Sequence, residues 1–447
     1  MKHYFSPTAI AYGTCFATAV MLAPQAFAIQ TFTVNSTLDQ VDDNISDGVC
    51  HTAANTCTLR AAVMQANRTP TGGATIILPA GVYTLTRPPV NDDGDDSGDL
   101  NMTTPVNGSG VISLVGAGAS TTIIDANRID RILHVGVSRT ASVSGVTLRN
   151  GQVGGLPGGG IRNKGALTID HVIVTGNHGG DGGGIYSSGT LTVQDSSLIF
   201  NVSTIYGGGL YNDDTGVGIV NMTGSTVAFN TARSGGGLTS FGDITVVNST
   251  IAGNEAIENG GGIGIYFSSS ANIYNSTIAY NDADQDRDGV GLGGGVYIAG
   301  STTDLNLRNS LLAGNTMGNT PIYDDCDGAG SLVSYGRNVL GTDASTLSGC
   351  NITVASGSYW DNLNSLNFLG GLASNGGPTP TIALLNGNNA IDAGDPAFGF
   401  ACLDGNSAPI TADQRGFTRP AGYFCDIGAF EYSAVNPVDE IFNNGFE

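Results

Sequence analysis

The sequence predicts an all-β chain: a single-stranded, right-handed parallel β-helix solenoid with a short N-terminal capping helix. Three observations predict it. One unit is written six times between Gly158 and Asn315. Each copy opens on three glycines, beginning at Gly158, Gly182, Gly207, Gly235, Gly260 and Gly293, and closes on Asn177, Asn201, Asn230, Asn254, Asn281 or Asn315. A period of about 24 to 34 residues, with insertions, marks a solenoid. Counting back from each closing asparagine, the tenth residue is Leu167, Leu191, Val220, Ile244, Ala271 or Leu305, and the eighth is Ile169, Val193, Met222, Val246, Ile273 or Leu307. Apolar residues two apart read as a strand with one buried face. Val174, Leu198, Val227, Ile251, Ile278 and Leu312 repeat three before the asparagine, and the fifth before it is serine in every copy but the first, which has Val172.

A single copy cannot shield its own apolar edge. Stacked copies can, and each column becomes a ladder of like side chains along the axis. Three short strands per copy fit: one after the glycines (Ile185 and Tyr186 in the second copy), one at the alternating pair, and one ending near the asparagine. A helix is excluded by the two-residue spacing and by the glycine triplets. Glycine permits positive φ at corners, and asparagine tolerates the left-handed region and can bond to its neighbours above and below.

The elements follow in order. Residues 1–28 read as a secretory signal: Lys2 and His3 give a positive start, an apolar stretch follows, and Ala26-Phe27-Ala28 is an A-x-A cleavage site. No later stretch is long and apolar enough to cross a bilayer. Residues 29–74 are expected to cap the first coil, with a strand at Thr31–Val34 and a helix near Cys57–Asn67 whose Leu59, Ala62, Val63 and Ala66 share a face, with Thr58 as N-cap. Such a helix covers an otherwise open sheet edge. Residues 75–371 are expected to form the β-helix, 372–432 to close its other end, and 433–447 to be a polar tail.

Six cysteines remain after Cys15 leaves with the leader. An even number in an exported chain reads as disulfides, and fifteen pairings are open. Distant coils cannot meet, which favours the sequence neighbours Cys50–Cys57, Cys326–Cys350 and Cys402–Cys425. A metal site is the rival reading, but no CxxC occurs and no histidine lies near most of these cysteines.

At the two ends the residues carry a resemblance. SDGVC (46–50) with CTLRAAVMQAN (57–67) is similar to the exported bacterial segment called the CSLREA domain, with Thr58 in place of its serine and Ala61 in place of its glutamate. SNGGPTPTIALLNGNNAIDAGD (374–395), TADQRGFTRP (411–420) and CDIGAFEY (425–432) resemble the choice-of-anchor Q domain. The central copies resemble polymorphic outer-membrane-protein-like β-helix repeats. These resemblances imply an exported or surface β-helix protein and imply no reaction.

Charge narrows the partners. The chain has 38 acidic and 16 basic residues, a net −22. Lys164 is the one lysine besides Lys2. Such a field repels nucleic acid, anionic membranes and, unless a cation intervenes, polyanionic sugars, and it suits neutral glycans, cation binding or simple solubility. An extracellular glycan or a cell-envelope component is the expected partner.

Candidate site residues are few. Asp284, Asp286, Asp288 and Gly289 spell DxDxDG in the longest insertion, 282–292, and alternate aspartates on a turning loop can aim oxygens at one calcium ion. An EF-hand is excluded, because its twelfth position is Gly295. Asp92–Asp99 is a second acidic run with the same alternative readings, solvated loop or calcium site. Asp170, with Asp195 one copy on and His171 and His178 nearby, is a thin cluster for acid–base chemistry. No catalytic residue is assigned. Tyr186, Tyr211 and Tyr297 follow the glycine triplets, and Phe200, Phe229 and Tyr280 precede the closing asparagines; rows that face outward could stack on sugar rings, which makes Tyr186, Tyr211 and Tyr297 candidate glycan contacts, but packing in the core or at a corner is the expected role of both rows. The function expected is non-catalytic adhesion or glycan binding, on the cell surface or secreted. The alternatives are a calcium-dependent polysaccharide lyase or glycoside hydrolase, and a structural surface spacer.

Overall fold

The computed structural model describes residues 1, 29–69, 72–90, 94–103, 110–267, 270–318, 322–341, 349–354, 359–360, 369–394, 402–404 and 408–432. The signal-peptide reading and the polar tail lie outside the described residues, apart from Met1. The chain winds as a right-handed parallel β-solenoid. Its first sheet has 12 strands, from Gln30–Thr33 to Asn351–Val354; its second has 9, from Leu100–Met102 to Cys326–Gly328; its third has 11, from Gly81–Thr84 to Tyr359–Trp360. The one coil Ile185–Ser187, Thr190–Gln194, Ser197–Ile199 visits the second, first and third sheets in turn.

The apolar columns face inward in register. Leu167 lies beside Leu191, then Val220, Ile244, Ala271 and Leu305, and Ile169 heads the parallel column Val193, Met222, Val246, Ile273, Leu307. All twelve are buried in one continuous core. Each coil thus removes its neighbour's apolar edge from water, at about 25 cal/mol per Å².

Two polar ladders tie the coils at the corners. Each closing asparagine donates its Nδ2 to the Oδ1 of the next, from Asn177 to Asn201 and on to Asn315, at 2.9–3.0 Å. The same Oδ1 atoms accept the backbone N–H of the previous asparagine. Asp325 ends the ladder by accepting from Asn315 at 2.9 Å. The serines form a second ladder: Ser196, Ser225, Ser249, Ser276 and Ser310 each accept a backbone N–H from the copy before. A fully bonded buried amide stiffens the corner, whereas an unbonded one would cost the full desolvation penalty.

The structure adds a fourth sheet that the three-strand reading did not include. Six two-residue strands, His178–Gly179 to Thr316–Met317, follow the closing asparagines.

At the N-terminus the helix Leu59–Ala66 packs Leu59, Ala62, Val63 and Ala66 into the core, and Thr58 Oγ1 accepts the Ala61 N–H at 3.2 Å. Arg60 is buried beside it, donating to Asp39 at 2.6 Å and to the Gly98 carbonyl at 2.7 Å. The second acidic run is not a calcium cluster in its described part. Asp95 accepts from Arg68 at 2.6 Å and Asp99 from Arg131 at 2.9 Å, so guanidinium groups already supply the positive charge.

The described part of the C-terminal region packs against the side of the solenoid, where an end cap was expected. It folds back along the flank of the third sheet. Ala252, Ala279, Leu311, Ala313 and Val339 of the solenoid form a second apolar cluster with Leu369, Ile382, Leu384, Ala390, Ile427 and Phe430. Gln414 bonds Thr250 Oγ1 and Thr226 Oγ1 at 2.6 and 2.9 Å, and Arg419 bonds Asn248 Oδ1 at 3.0 Å. The reason lies in the third sheet's outer positions. They carry Thr and Ala in Thr226-Val227-Ala228, Thr250-Ile251-Ala252 and Thr277-Ile278-Ala279, and these strands are buried throughout. Small side chains there admit a second layer. Within that layer Arg415 lies between Phe417 and Phe430, 4.2 and 3.6 Å from the ring centres, and pairs with Asp413 at 2.6 Å. Disulfides join Cys50 to Cys57, Cys326 to Cys350 and Cys402 to Cys425. Three disulfides fit an oxidising, extracellular environment. No helix among the described residues is long and apolar enough to cross a membrane.

Candidate functional site

The second sheet has an outer face unlike the others. Its middle column reads Arg162, Tyr186, Tyr211, Thr239, Gly264, Tyr297 in parallel register. A second column, just before the glycine triplets, reads Asp181, Tyr206, Ser234, Asn259; each of these carbonyls accepts the N–H of the triplet glycine one coil back. A third column, just after the strands, reads Ser188, Asp213, Phe241, Tyr266, each N–H bonded to the preceding coil. Tyrosines from all three columns and phenylalanines merge into one strip.

Ring centres map it. Tyr186 stacks on Tyr211 at 5.6 Å, and Tyr211 meets Tyr206 at 6.0 Å and Phe241 at 5.5 Å. Phe241 stacks on Tyr266 at 5.1 Å and touches Phe267 at 5.5 Å. Tyr266 reaches Tyr297 at 6.0 Å. Seven rings therefore run unbroken over five successive coils. Gly264 makes the join: a Cβ there would sit 2.8 Å from Cε2 of Tyr266. Where the middle column lacks a ring, at Thr239 and Gly264, the third column supplies Phe241 and Tyr266. Tyr211 is buried at 8% exposure, Phe267 is exposed, and the other five rings are half-buried.

Carboxylates border the strip. The Tyr186 hydroxyl donates to Asp213 Oδ2, which also accepts from Thr215 Oγ1 at 2.7 Å. Burial, and then Asp213 itself, pushes the Tyr186 hydroxyl up to about 12. Tyr211 is raised further, by burial and by Asp213, Asp181, Tyr186 and Asp214. Asp181 is raised by burial, opposed by the Tyr206 N–H that it accepts, and raised again by Asp213. Its Oδ1 is buried with no hydrogen-bond partner among the described residues. At the other border Glu258 is held down by Arg233, which donates to it at 2.8 Å.

Of the candidates read from sequence, Tyr186 and Tyr211 come together directly and Tyr297 joins through Tyr266. Tyr206, Phe241, Tyr266, Phe267, Asp181 and Asp213 were missed. Their columns do not align on the closing asparagine, because insertions separate them from it.

The expectation that Phe200, Phe229 and Tyr280 pack inward is corrected. They are 56%, 43% and 37% exposed, at positive φ on a corner. Phe200 stacks on Phe229 at 5.1 Å, and a Cβ at Gly253, between Phe229 and Tyr280, would meet the Phe229 ring at 2.7 Å. A left-handed corner residue points its side chain away from the core, which the column alone did not reveal.

Two clusters gather acidic groups. Oxygen atoms of Asp284, Asp286 and Asp288 lie within 4.8 Å of one another. Asp284 is buried and accepts the Gly289 N–H at 3.0 Å; the other two are exposed. Asp170, His171 and Asp195 form the second cluster within the same limit, with His171 Nδ1 bonded to Asp170 at 2.7 Å. Asp195 is raised by burial, a shift that His171 opposes and Asp170 reinforces. His171 and Asp195 occupy left-handed corner positions shared with Asn248, Asn275 and Asn309. His178 lies in the fourth sheet, paired with Val202, away from them.

The molecule is thus a parallel β-helix with an acidic aromatic strip on one sheet. A comparison with protein-family profiles finds no match, and one with curated protein sequences finds none either. Among solved structures, its fold is similar to the crystal structure of pectate lyase Pel9A, at 15% identity and a TM-score of 0.46, over 90% of this chain and 97% of that one.

Proposed function

We propose that the protein is an exported, surface-associated β-helix that binds glycans without cleaving them, through the aromatic strip on its second sheet. The observation that carries this reading is the run of seven rings across five coils, bordered by carboxylates. Aromatic faces cover the apolar faces of sugar rings, and tyrosine hydroxyls and carboxylates take up sugar hydroxyls. The like-charged field suits a neutral chain better than a polyanion. The CSLREA-like and choice-of-anchor Q-like ends, together with the leader read at residues 1–28, support export and retention at the envelope. Calcium at Asp284, Asp286 and Asp288 belongs to the same proposal, as a stabiliser of the insertion that neutralises three clustered carboxylates.

The test is titration calorimetry of the chain, with its leader removed, against a panel of neutral oligosaccharides, alongside Tyr206→Ala and Tyr266→Ala. Micromolar to millimolar binding that falls about tenfold or more in each variant is expected, since one stacked ring contributes about 1–2 kcal/mol. Binding that is absent, or unchanged in both variants, sinks the reading. The hydrolase or lyase alternative has one geometric support, the Asp170–His171–Asp195 cluster. New reducing ends or unsaturated products from the same panel, lost in Asp195→Asn, would establish it instead.

A further inference from the structure

The exposed aromatic row on the corner between the third and fourth sheets has a vacancy. Four successive coils place Asn150, Gly176, Phe200 and Phe229 in one column, at φ of 61°, 64°, 57° and 55°. Phe200 stacks one face on Phe229. Its other face is left open, because the next position back is Gly176. A Cβ there would have one neighbour within 4 Å, Asn150 Oδ1 at 3.6 Å. The other glycine of the row differs: the Phe229 ring already lies over Gly253. Over Gly176 the surface therefore holds a slot of about 290 Å³, with Phe200 and Val202 on one side, Arg128 and Gln152 on the other, and His178 between them. Coils are spaced about 4.8 Å apart, so a ring seated over Gly176 falls within stacking distance of Phe200.

The polar lining of the slot is uncommitted. The exposed Arg128 side chain makes no ion pair and no hydrogen bond among the described residues. Asn150 donates its Nδ2 to Asp125, and its Oδ1 accepts nothing among the described residues. No carboxylate lines the slot, in a chain with 38 acidic residues. Asp125, on the Arg128 coil, is already taken by Arg149, Asn150 and the Asn127 N–H. The slot thus reverses the chemistry of the strip: an open ring face stands beside a free guanidinium, where the strip sets its rings beside carboxylates. We propose that this slot is a second ligand site, which takes one pyranose ring bearing a carboxylate, the end residue of an acidic glycan. Phe200 covers the apolar face of the sugar, Arg128 pairs with the carboxylate, and Asn150 Oδ1, Gln152 and His178 meet the hydroxyls. A space of this size holds one ring, and the rest of the glycan extends into solvent. The slot lies on a different sheet corner from the strip and does not depend on it.

The experiment titrates the chain, with its leader removed, into a methyl glucuronoside, a methyl sialoside, a methyl glucoside and benzoate at neutral pH, reading the ligand signals by NMR. At least one of the two acidic sugars is expected to bind about tenfold or more tighter than the methyl glucoside and than benzoate, and the tighter of the two identifies the carboxylate's source. Arg128→Gln should bring the acidic sugars down to the affinity of the methyl glucoside. Gly176→Phe should fill the slot with a third ring and remove binding; Phe200 and Phe229 hold phenylalanine at nearly the same φ, so the column accepts it. Phe200→Ala, at an exposed position, should weaken binding about tenfold by removing the stacking face, and it serves if Gly176→Phe does not fold. Circular dichroism checks the fold of each variant. Binding of neither acidic sugar overturns the inference, as does equal binding of the methyl glucoside, because the carboxylate would then not be read. Equal binding of benzoate overturns it because the sugar would not be read. Binding that survives both Gly176→Phe and Phe200→Ala, or a preference unchanged in Arg128→Gln, places the ligand elsewhere and overturns it too. Each of these failures leaves the strip reading standing, since that reading is tested with neutral oligomers on rings these variants do not touch.

Discussion

Removing one rung of the asparagine ladder is expected to cost a large share of the protein's stability. The Asn230 amide uses its full capacity. Its Oδ1 accepts from the Asn201 N–H at 2.9 Å and from Asn201 Nδ2 at 3.0 Å, and its Nδ2 donates to the Leu198 carbonyl and to Asn254 Oδ1, both at 2.9 Å. Asn230 is fully buried. Asn230→Ala strands two donors on Asn201 where no water replaces the lost acceptor, at about 1–3 kcal/mol each. It also removes the donor to Leu198 and leaves a small cavity. The expected loss is about 3–6 kcal/mol, against the 5–15 kcal/mol typical of a whole domain. Asn221→Ala is the control, because Asn221 faces water on the adjoining strand and its loss should change stability by about 0.5 kcal/mol or less. Urea titrations followed by far-ultraviolet circular dichroism, in the band of the β-sheet backbone, give both values from the midpoint at constant slope. Coils touch chiefly their neighbours, so a broken rung can also divide the transition in two. A loss below about 1 kcal/mol for Asn230→Ala, indistinguishable from the control, would refute the view that the corner amides hold the coils together.

Three further outcomes are expected. Gln414→Ala removes bonds to Thr226, Thr250 and Thr379 and should free the C-terminal flank by about 2–4 kcal/mol, so limited proteolysis should clip 372–432 while the solenoid's circular dichroism persists; loss of both together would contradict a separately docked layer. Burial, and then Glu431, pushes Asp426 up to about 7, so the folded form holds a proton that the unfolded form releases above about pH 4. That group's stabilisation is complete below about pH 4 and is lost as pH rises to about 7, by at most about 4 kcal/mol, and Asp426→Asn should flatten the slope measured by urea titration at pH 5 and 8. Calcium at millimolar concentration should raise the melting temperature of the wild type and not of Asp284→Asn/Asp286→Asn/Asp288→Asn; equal shifts in both would remove that loop from the proposal.

The solenoid was legible because its constraints are one-dimensional. Leu191 and Val193 fall two apart in every copy since both must enter the same core, and Ser196 and Asn201 recur since both must meet their own kind one coil on. The flank was less legible, although Thr226-Val227-Ala228 and its two successors carried the signal: a strand whose outer positions hold only threonine and alanine has room for a second layer over it. The two-residue strands after the asparagines left a similar trace in Thr231-Ala232, Glu255-Ala256 and Asp282-Ala283, each with a buried alanine. The aromatic strip was hidden for a different reason. Tyr206, Tyr211 and Phe241 sit in three different columns, and only the backbone's path across the glycine triplets brings those columns side by side.

Stacked rings on a β-helix have two explanations, coil-to-coil packing and ligand contact, and Gly264→Ala separates them. The methyl would displace the Tyr266 ring, whose Cε2 lies 2.8 Å from where Cβ would be placed, while the backbone of this middle strand position keeps its inward neighbours Ile263 and Ile265 buried. If the strip only packs, swinging Tyr266 away loses its stacking on Phe241 at 5.1 Å, about 0.5–1.5 kcal/mol of stability, and changes nothing else. If the strip is a binding platform, the same change breaks the run of rings at its centre, between Phe241 and Tyr297, and oligomers long enough to cross the break lose affinity while short ones seated at Tyr186 and Tyr211 do not. A length-dependent loss, measured by calorimetry with short and long oligomers, is therefore the result that packing alone cannot produce. A uniform loss of stability with no dependence of affinity on length would assign these rings to the architecture.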